Sequence, residues 1–187
     1  MRVGIAMCGS YCTFDKLFAA LPSLAERYEL VPIMSERAAT TDTRFGTAKE
    51  MRERLESICG AKAVTTIAEA EPLGPNKPMD ALIIAPCTGS TMARLARGIT
   101  DSSVTMAAKA HMRNGKPLVI AFSTNDALGG SAPSIAALLN RKNVYIVPFA
   151  QDSPEAKPFS AASDFSLILP TLAAALEGRQ LQPVLRA

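Results

Sequence analysis

Residues 81–91 read Ala81-Leu82-Ile83-Ile84-Ala85-Pro86-Cys87-Thr88-Gly89-Ser90-Thr91, an uninterrupted apolar run directly followed by small hydroxyl residues. An apolar run without polar alternation is typical of a parallel strand that helices cover on both faces. We therefore predict a buried strand at Ala81–Ala85. Four further runs have the same character and predict four more strands: Arg2–Met7, Leu30–Met34, Leu118–Phe122 and Val144–Pro148.

Helical patterns separate these runs. Apolar residues recur at helical spacing from Phe14 to Leu21, and we expect Pro22 to end or kink that helix. Met51–Ile58 repeats in the same way, with Gly60 as its C-terminus. Further helices are predicted at Thr91–Ile99, Val104–Met112, Ser134–Asn140 and Phe165–Leu176, and residues 71–78 read as a loop. Alternating strands and helices predict one α/β domain over residues 1–187, with a parallel sheet covered by helices on both faces.

The chain has few groups suited to metal chemistry: among its 187 residues are one histidine and four cysteines. A single histidine, His111, excludes HExxH and three-histidine sites. The cysteines lack paired CxxC spacing, so we expect no metal site and interpret them as reduced thiols. We interpret Cys8 and Cys87 as buried thiols, and His111 as an exposed or half-buried helix residue.

The composition also bears on location and partners. Arg2 leads directly into the first strand, and no apolar stretch approaches the roughly 18 residues that span a bilayer. With reduced cysteines, this predicts a cytoplasmic protein without a membrane partner. The net charge of +3 does not favour nucleic acid. From Asp80 to Pro148, however, the sequence contains seven basic residues and only three acidic ones. This excess of positive charge suits either an anionic small ligand or an ordinary solvated surface. The seven basic residues are Arg94, Arg97, Lys109, Arg113, Lys116, Arg141 and Lys142.

Small polar residues follow every predicted strand. Ligands of open α/β sheets bind beyond the carboxyl ends of the strands, so we expect a ligand site there, although any one loop also reads as an ordinary helix cap. The sequence has neither a GxGxxG motif nor a GxxxxGK[ST] loop, which leaves a mononucleotide such as FMN as the natural candidate. The five loops begin Cys8-Gly9-Ser10, Ser35-Glu36-Arg37, Pro86-Cys87-Thr88, Ser123-Thr124-Asn125-Asp126 and Ala150-Gln151-Asp152.

Ala85–Thr91 resembles the Pro-Ala-Ser-Ala-Asn-Thr flavin motif of the homo-oligomeric flavin-containing cysteine decarboxylase superfamily, from which Cys87, Gly89 and Ser90 depart. Ser123-Thr124-Asn125 occupies the place of the Pro-x-Met-Asn substrate motif of that superfamily. Nearly the whole chain resembles one branch of this superfamily, a synthase subunit that forms pyridine-2,6-dicarboxylate. The segments that carry this likeness are Ser35-Glu36, Thr41–Gly46, Ser123–Gly129, Asn140–Asn143 and Pro148–Asp152, while Ala93–Asp101 continues the likeness to the superfamily as a whole.

The resemblance implies a flavodoxin-like (Rossmann-like) three-layer sandwich that forms trimers or dodecamers, with FMN at a subunit interface. It implies Asn125 and Asp126 as catalytic residues. The Asn125 amide can both donate to a carboxylate and accept from an imine N–H, and Asp126 is a candidate to bind or protonate a dicarboxylate. Arg44, Asp152 and Lys157 are further candidates to bind or protonate a dicarboxylate. The residues implied for FMN are Gly9, Ser10 and Ser35 at the phosphate, and Pro86, Thr88, Ser90, Thr91 and Ser123 towards the flavin.

The implied reaction is oxidoreductase chemistry that forms pyridine-2,6-dicarboxylate from a dihydro or hydroxy-tetrahydro precursor during spore formation. A second subunit would carry NAD(P). Two alternatives stay open: a flavin-dependent decarboxylase of the same superfamily, and a non-catalytic partner protein with an FMN-type fold. The decarboxylases use a histidine after the second strand, where this chain has Thr41–Phe45 and no histidine. That absence disfavours decarboxylation.

Overall fold

A central sheet lies between two layers of helices. The computed structural model describes residues 1–74, 76 and 78–186. Five parallel strands run in the spatial order β2-β1-β3-β4-β5, which is the flavodoxin-like order. The predicted strands and the predicted fold class are confirmed. The strands are β1 (Arg2–Met7), β2 (Glu29–Met34), β3 (Ala81–Cys87), β4 (Leu118–Thr124) and β5 (Val144–Ile146).

Two short antiparallel strands that the sequence did not predict extend this parallel sheet. They are β6 (Phe149–Ala150) and β7 (Ala161–Ser163), and β7 pairs with the end of β4. Strands of two or three residues have no apolar periodicity, so their sequence gives no signal. Long-range bonds hold them instead: the buried Ser163 hydroxyl accepts the Phe122 N–H at 3.0 Å and donates to the Val147 carbonyl at 3.1 Å.

The predicted helices are confirmed with shifts of a few residues at their ends. Pro22 does not end the first helix, which continues through it to Ala25. Gly60 ends the third helix with φ of 66°, as predicted. Of the predicted loop 71–78, Glu71–Leu73 forms a 3-10 turn, whereas Pro75 and Lys77 lie outside the described residues. The helices are α1 (Phe14–Ala25), α2 (Glu36–Thr40), α3 (Ala48–Cys59), α4 (Ile67–Ala70), α5 (Gly89–Arg97), α6 (Ser103–Met112), α7 (Ala132–Leu139) and α8 (Ile168–Leu176).

Each face of the sheet has its own apolar core. Alternate side chains of β1, such as Ile5 and Met7, pack against α1, α3 and α8. Ala6 faces the other way, into the core formed with α5, α6 and α7. Two buried cores explain why the strands read as continuous apolar runs. Within the described part of the chain, none of the helices is long and apolar enough to cross a membrane.

His111 is completely buried on α6, which corrects the prediction that it is exposed or half-buried. Its Nε2 lies 2.9 Å from the Pro117 carbonyl and donates to it, while Nδ1 is buried with no hydrogen-bond partner among the described residues. Burial lowers the pKa of the imidazole below its usual value, although the Pro117 carbonyl opposes this. His111 is therefore a neutral structural residue of the core.

We expect acid to destabilise the protein through His111. Because the folded-state pKa lies below the unfolded value of 6.5, the unfolded chain binds the extra proton first, so stability falls as the pH drops below about 6.5. The contribution to the slope approaches, at most, about 1.4 kcal/mol per pH unit. Urea unfolding at pH 7.5 and pH 5.5 measures the effect. In His111→Gln this part of the pH dependence should disappear; an unchanged profile in that variant would contradict the assignment.

Candidate functional site

Two adjoining cavities open at the carboxyl edge of the parallel sheet. The first, of about 790 Å³, lies towards β2, and the second, of about 910 Å³, lies towards β4 and the β6–β7 loop. Both volumes fall in the range of small-molecule sites. Four residues line both cavities and so make them one continuous cleft: Gly9, Tyr11, Thr88 and Ser90.

The neighbouring strand ends hold this edge together through main-chain hydrogen bonds. The Cys8 N–H donates to the Pro86 carbonyl at 3.1 Å, and the Ser35 N–H donates to the Met7 carbonyl at 2.9 Å. Pro86 itself is buried within β3 and lines neither cavity. A proline cannot donate to the sheet, and the β3–β4 register shifts between Ile84 and Cys87.

The predicted site residues divide between the two cavities. Ser35 and Thr91 line the first, whereas Ser10 lines the second. The three residues implied for a phosphate, Gly9, Ser10 and Ser35, therefore do not share one cavity. The second cavity also collects the predicted residues that follow β4, which are Ser123, Asn125 and Asp126.

Hydroxyl groups and a fixed guanidinium characterise the first cavity. The Thr88 hydroxyl caps α5 by accepting the Thr91 N–H at 3.1 Å, and the two threonine hydroxyls lie 2.9 Å apart. Arg94 is held by the Asp101 carboxylate at 2.9 Å and by the Ser90 hydroxyl. The cavity thus presents neutral donors and acceptors beside the paired charges of Arg94 and Asp101, and Arg37 also lines it.

Glu36 adds a carboxylate to the same cavity. Its two oxygens accept the Ser103 N–H at 2.9 and 3.2 Å, which places a negative charge at the N-terminus of α6. The Ser103 hydroxyl in turn donates to the Met34 carbonyl at 2.6 Å and is completely buried. This bonding fixes the carboxylate against the wall of the cavity.

The buried cysteines at the strand ends are protonated thiols. Burial raises the pKa of Cys8 to about 11, although hydrogen bonding to Thr91 and Thr88 opposes the shift. Burial also raises the pKa of Cys87 well above its usual value. The prediction that Cys8 and Cys87 are buried free thiols is confirmed. Cys12, by comparison, is an exposed free cysteine. A thiol with so high a pKa is a poor nucleophile at neutral pH, so Cys8 contributes a small apolar surface to the cavity floor.

Gly89 allows the start of α5 to approach the loop after β4. A Cβ at this position would lie 2.5 Å from the Ser131 Oγ and 2.9 Å from the Thr124 Oγ1. We therefore expect Gly89→Ala to lower the free energy of unfolding by about 1–3 kcal/mol, measured by urea unfolding. Adding Ser131→Ala removes the nearer oxygen and should restore part of the loss. A Gly89→Ala protein as stable as the parent would refute this close packing.

The second cavity gathers charged groups from three separate loops. Arg44 comes from the loop between α2 and α3, Asn125 and Asp126 follow β4, and Asp152 and Lys157 lie between β6 and β7. The Lys157 Nζ lies 3.8 Å from an Asp152 carboxylate oxygen. The cavity therefore combines two cations, two carboxylates and one amide.

Aromatic rings and a glycine turn complete this second cavity. Phe45 and Phe159 line it with exposed rings, and the Arg44 guanidinium lies 4.9 Å from the Phe45 ring centroid. The Asp126 carboxylate lies so close to Gly129 and Gly130 that a Cβ at either position would collide with it. Aromatic rings around charged groups suit a compact ligand that is both flat and polar.

Sequence reasoning missed Tyr11 and the role of Glu36. Tyr11 lines both cavities, and its hydroxyl donates to the Arg37 carbonyl at 3.2 Å. The sequence contained one signal for Tyr11: this residue directly follows Gly9-Ser10, in the loop after the first strand. Glu36 stands directly after the predicted Ser35, but its contact with Ser103 joins residues that are far apart in the sequence.

Comparison with known proteins identifies the family. Residues 1–148 match the family model described as Flavoprotein. The chain belongs to the flavoprotein family. The part of this flavoprotein that matches contains the five parallel strands and the loops that form most of both cavities.

Two relatives show which branch of the flavoprotein family the chain is similar to. This flavoprotein is 42% identical to the B-type subunit of dipicolinate synthase from Bacillus subtilis (strain 168) over 185 residues, which is 98% of this chain and 92% of the relative. A crystal structure of the B-type dipicolinate synthase subunit from Bacillus halodurans C superposes with a TM-score of 0.91 at 40% identity, covering 100% of this chain and 96% of that one. The predicted resemblance to this branch is confirmed.

A more distant structure shares the fold of this flavoprotein. The dodecameric FMN-dependent UbiX-like decarboxylase of Escherichia coli O157:H7 has a TM-score of 0.63 at 21% identity, covering 79% of this chain and 80% of that one. A likeness at 21% identity shows a shared fold and nothing more. It agrees with the three-layer sandwich described above.

Proposed function

We propose that this flavoprotein is the B-type subunit of a dipicolinate synthase. It would form dipicolinate (pyridine-2,6-dicarboxylate) from a dihydro or hydroxy-tetrahydro precursor in sporulating cells, as an oxidoreductase of the cytoplasm. The A-type subunit of the synthase, with an NAD(P)-binding domain, would be its partner, and the chain would itself form trimers or dodecamers. The similarity to B-type dipicolinate synthase subunits over nearly the full length supports this role.

The observation that carries the proposal is the chemistry of the second cavity. A flat dicarboxylate needs a cation for each carboxylate, and Arg44 and Lys157 supply two. Asn125 can donate to a carboxylate oxygen or accept from a ring N–H. Phe45 and Phe159 offer apolar surface to the ring of the ligand.

FMN fits the donor set of the first cavity. Ser35, Thr88, Ser90 and Thr91 would bond to its polar edge and ribityl chain, and the fixed guanidinium of Arg94 would meet negative charge. Gly9 leaves room where both cavities meet. Bound there, FMN would supply a hydride acceptor for the oxidation.

The residues of the second cavity would prepare the substrate for aromatisation. Conversion of a dihydro ring to pyridine removes a hydride and a proton. Asp126 or Asp152 would accept the proton, while Arg44 and Lys157 hold the two carboxylates. Asn125 would fix the orientation of the ring nitrogen.

Reconstitution tests the proposal. This chain, the isolated partner and their mixture are each supplied with the dihydro or hydroxy-tetrahydro precursor, and dipicolinate is measured by its absorbance. We expect formation that requires this chain, and a flavin spectrum in the purified protein. If the partner made dipicolinate unaided and this chain were colourless, the non-catalytic alternative would replace the proposal. Release of carbon dioxide without dipicolinate would favour the decarboxylase.

A further inference from the structure

A groove of about 360 Å³ lies outside the cleft, between the end of α5 and the outer surface of α6. Leu95, Ile99 and Met112 form its apolar part, and Ile99 is 45% exposed. The cations are Lys109 on α6, Arg113 at the C-cap of that helix, and Arg141, which reaches the groove from beyond α7. Among the described residues that line the groove, none is acidic.

The groove lies within a wider basic surface. We call this surface, together with the groove, the basic face; its cations are Arg97, Lys109, Arg113, Lys116, Arg141 and Lys142. All are exposed, and none forms an ion pair with another described residue. Arg94, the remaining cation of this half of the chain, differs because Asp101 pairs with it. The positive charge predicted from the sequence therefore lies on α5, on α6 and on the segments that follow α6 and α7.

Arg141 lines the groove and is held in place by a hydrogen bond. Its guanidinium donates to the Leu95 carbonyl at 3.0 Å, next to the Gly98 C-terminus of α5. This bond uses one of the five N–H donors of the guanidinium and leaves others for a ligand. An oriented arginine beside an exposed isoleucine and a half-buried methionine is the composition that protein interfaces favour.

The extent of the charge decides which class of partner fits. A small anion would need only the groove, whereas Arg97, Lys116 and Lys142 lie outside its lining. Single-stranded nucleic acid would use aromatic side chains for stacking, and none is found among the described residues that line the groove. An acidic protein segment uses both features, because an apolar side chain fills the groove while its carboxylates meet the surrounding cations.

We propose that the basic face docks an acidic segment of the second synthase subunit, with one apolar side chain of that segment seated on Leu95, Ile99 and Met112. This inference rests on the proposed function for the identity of the partner. It places the docking surface on the α5–α6–α7 layer, away from the two cavities, so that docking and chemistry can be tested separately.

Charge reversal tests the docking. The affinity of the full-length chain for the second subunit is measured by calorimetry for the parent and for Lys109→Glu/Arg113→Glu. The matched control is Lys16→Glu/Arg27→Glu, which makes the same change in net charge at exposed positions of the α1 segment, on the opposite layer. We expect about 30-fold weaker binding for the first variant, near-parental binding for the control, and weaker parental binding at higher salt.

Truncation of the apolar part gives a second measurement. Ile99→Ser should weaken binding about 10-fold, while Leu185→Ser, at an exposed apolar residue outside the groove, should not. Equal affinity of the parent and both groove variants would overturn the proposal. So would a changed oligomeric state of Lys109→Glu/Arg113→Glu in sedimentation with partner binding intact, or groove-dependent binding of poly(U) RNA in place of the second subunit.

The same proteins separate this inference from the proposed function. If the mixture of parent subunits makes dipicolinate but binding ignores the groove variants, the docking proposal fails and the function stands. If the groove variants weaken binding but no mixture makes dipicolinate, the docking surface stands and the proposed reaction fails.

Discussion

Asn125→Ala is expected to abolish dipicolinate formation by the reconstituted synthase, lowering kcat/KM by about 100-fold or more. The amide lies in the second cavity, in the loop after β4, where it is the residue best able to orient a ring nitrogen and a carboxylate together. A site built to hydrogen-bond a substrate leaves that substrate misplaced when the bond is removed, and a small displacement costs a large factor in rate. Steady-state kinetics with the precursor measure the effect.

The fold should tolerate this change. Asn125 is exposed, and its side chain makes no hydrogen bond to other described residues, so the variant should unfold at the urea concentration of the parent. Asn140→Ala is the matched control, because Asn140 is also exposed and lies outside both cavities. Unchanged turnover in Asn125→Ala, with the parental oligomeric state, would remove Asn125 from the mechanism.

Arg44→Ala and Lys157→Ala are each expected to raise KM for the dicarboxylate precursor by about 10- to 100-fold. A charge-assisted hydrogen bond to a carboxylate contributes about 1.5–3 kcal/mol, which corresponds to that range. The double variant should lose more than either single variant, because each cation would bind a different carboxylate. Product inhibition by dipicolinate should weaken in parallel, since the product keeps both carboxylates.

The two cations differ in their surroundings, which sharpens this test. Lys157 is paired with Asp152, so Lys157→Ala also frees a carboxylate within the cavity, whereas Arg44 contacts the Phe45 ring. Arg52→Ala is the control, because Arg52 is an exposed cation that lines neither cavity. A precursor KM that stays at the parental value in both single variants would show that the dicarboxylate binds elsewhere.

The sequence predicted some parts of the site and missed others for identifiable reasons. Gly9, Thr88 and Ser90 line both cavities because they follow strands that are adjacent in the sheet. Pro86 has the right place in the motif but lies inside the strand, which continues beyond the predicted end at Ala85. Motif position alone does not tell a wall residue from a buried one.

His111 is a core residue whose burial the sequence likewise did not predict. Its helix was predicted correctly, but the burial of the ring depends on the Pro117 carbonyl and on the sheet beneath α6. A single polar residue on a short helix carries no periodic signal of its own burial. The correction strengthens one conclusion, because a histidine held in the core on α6 is not available for chemistry in either cavity.

The sequence by itself determined the five parallel strands and the polar loops that follow them. Those features are local: an apolar run reports burial on both faces, and small hydroxyl residues mark the start of the next helix. The tertiary structure alone decided that the cleft has two cavities and that Arg44, Asn125 and Lys157 meet in one of them. Loop residues have no periodicity, and the order of the strands together with the β6–β7 pairing sets which loops become neighbours.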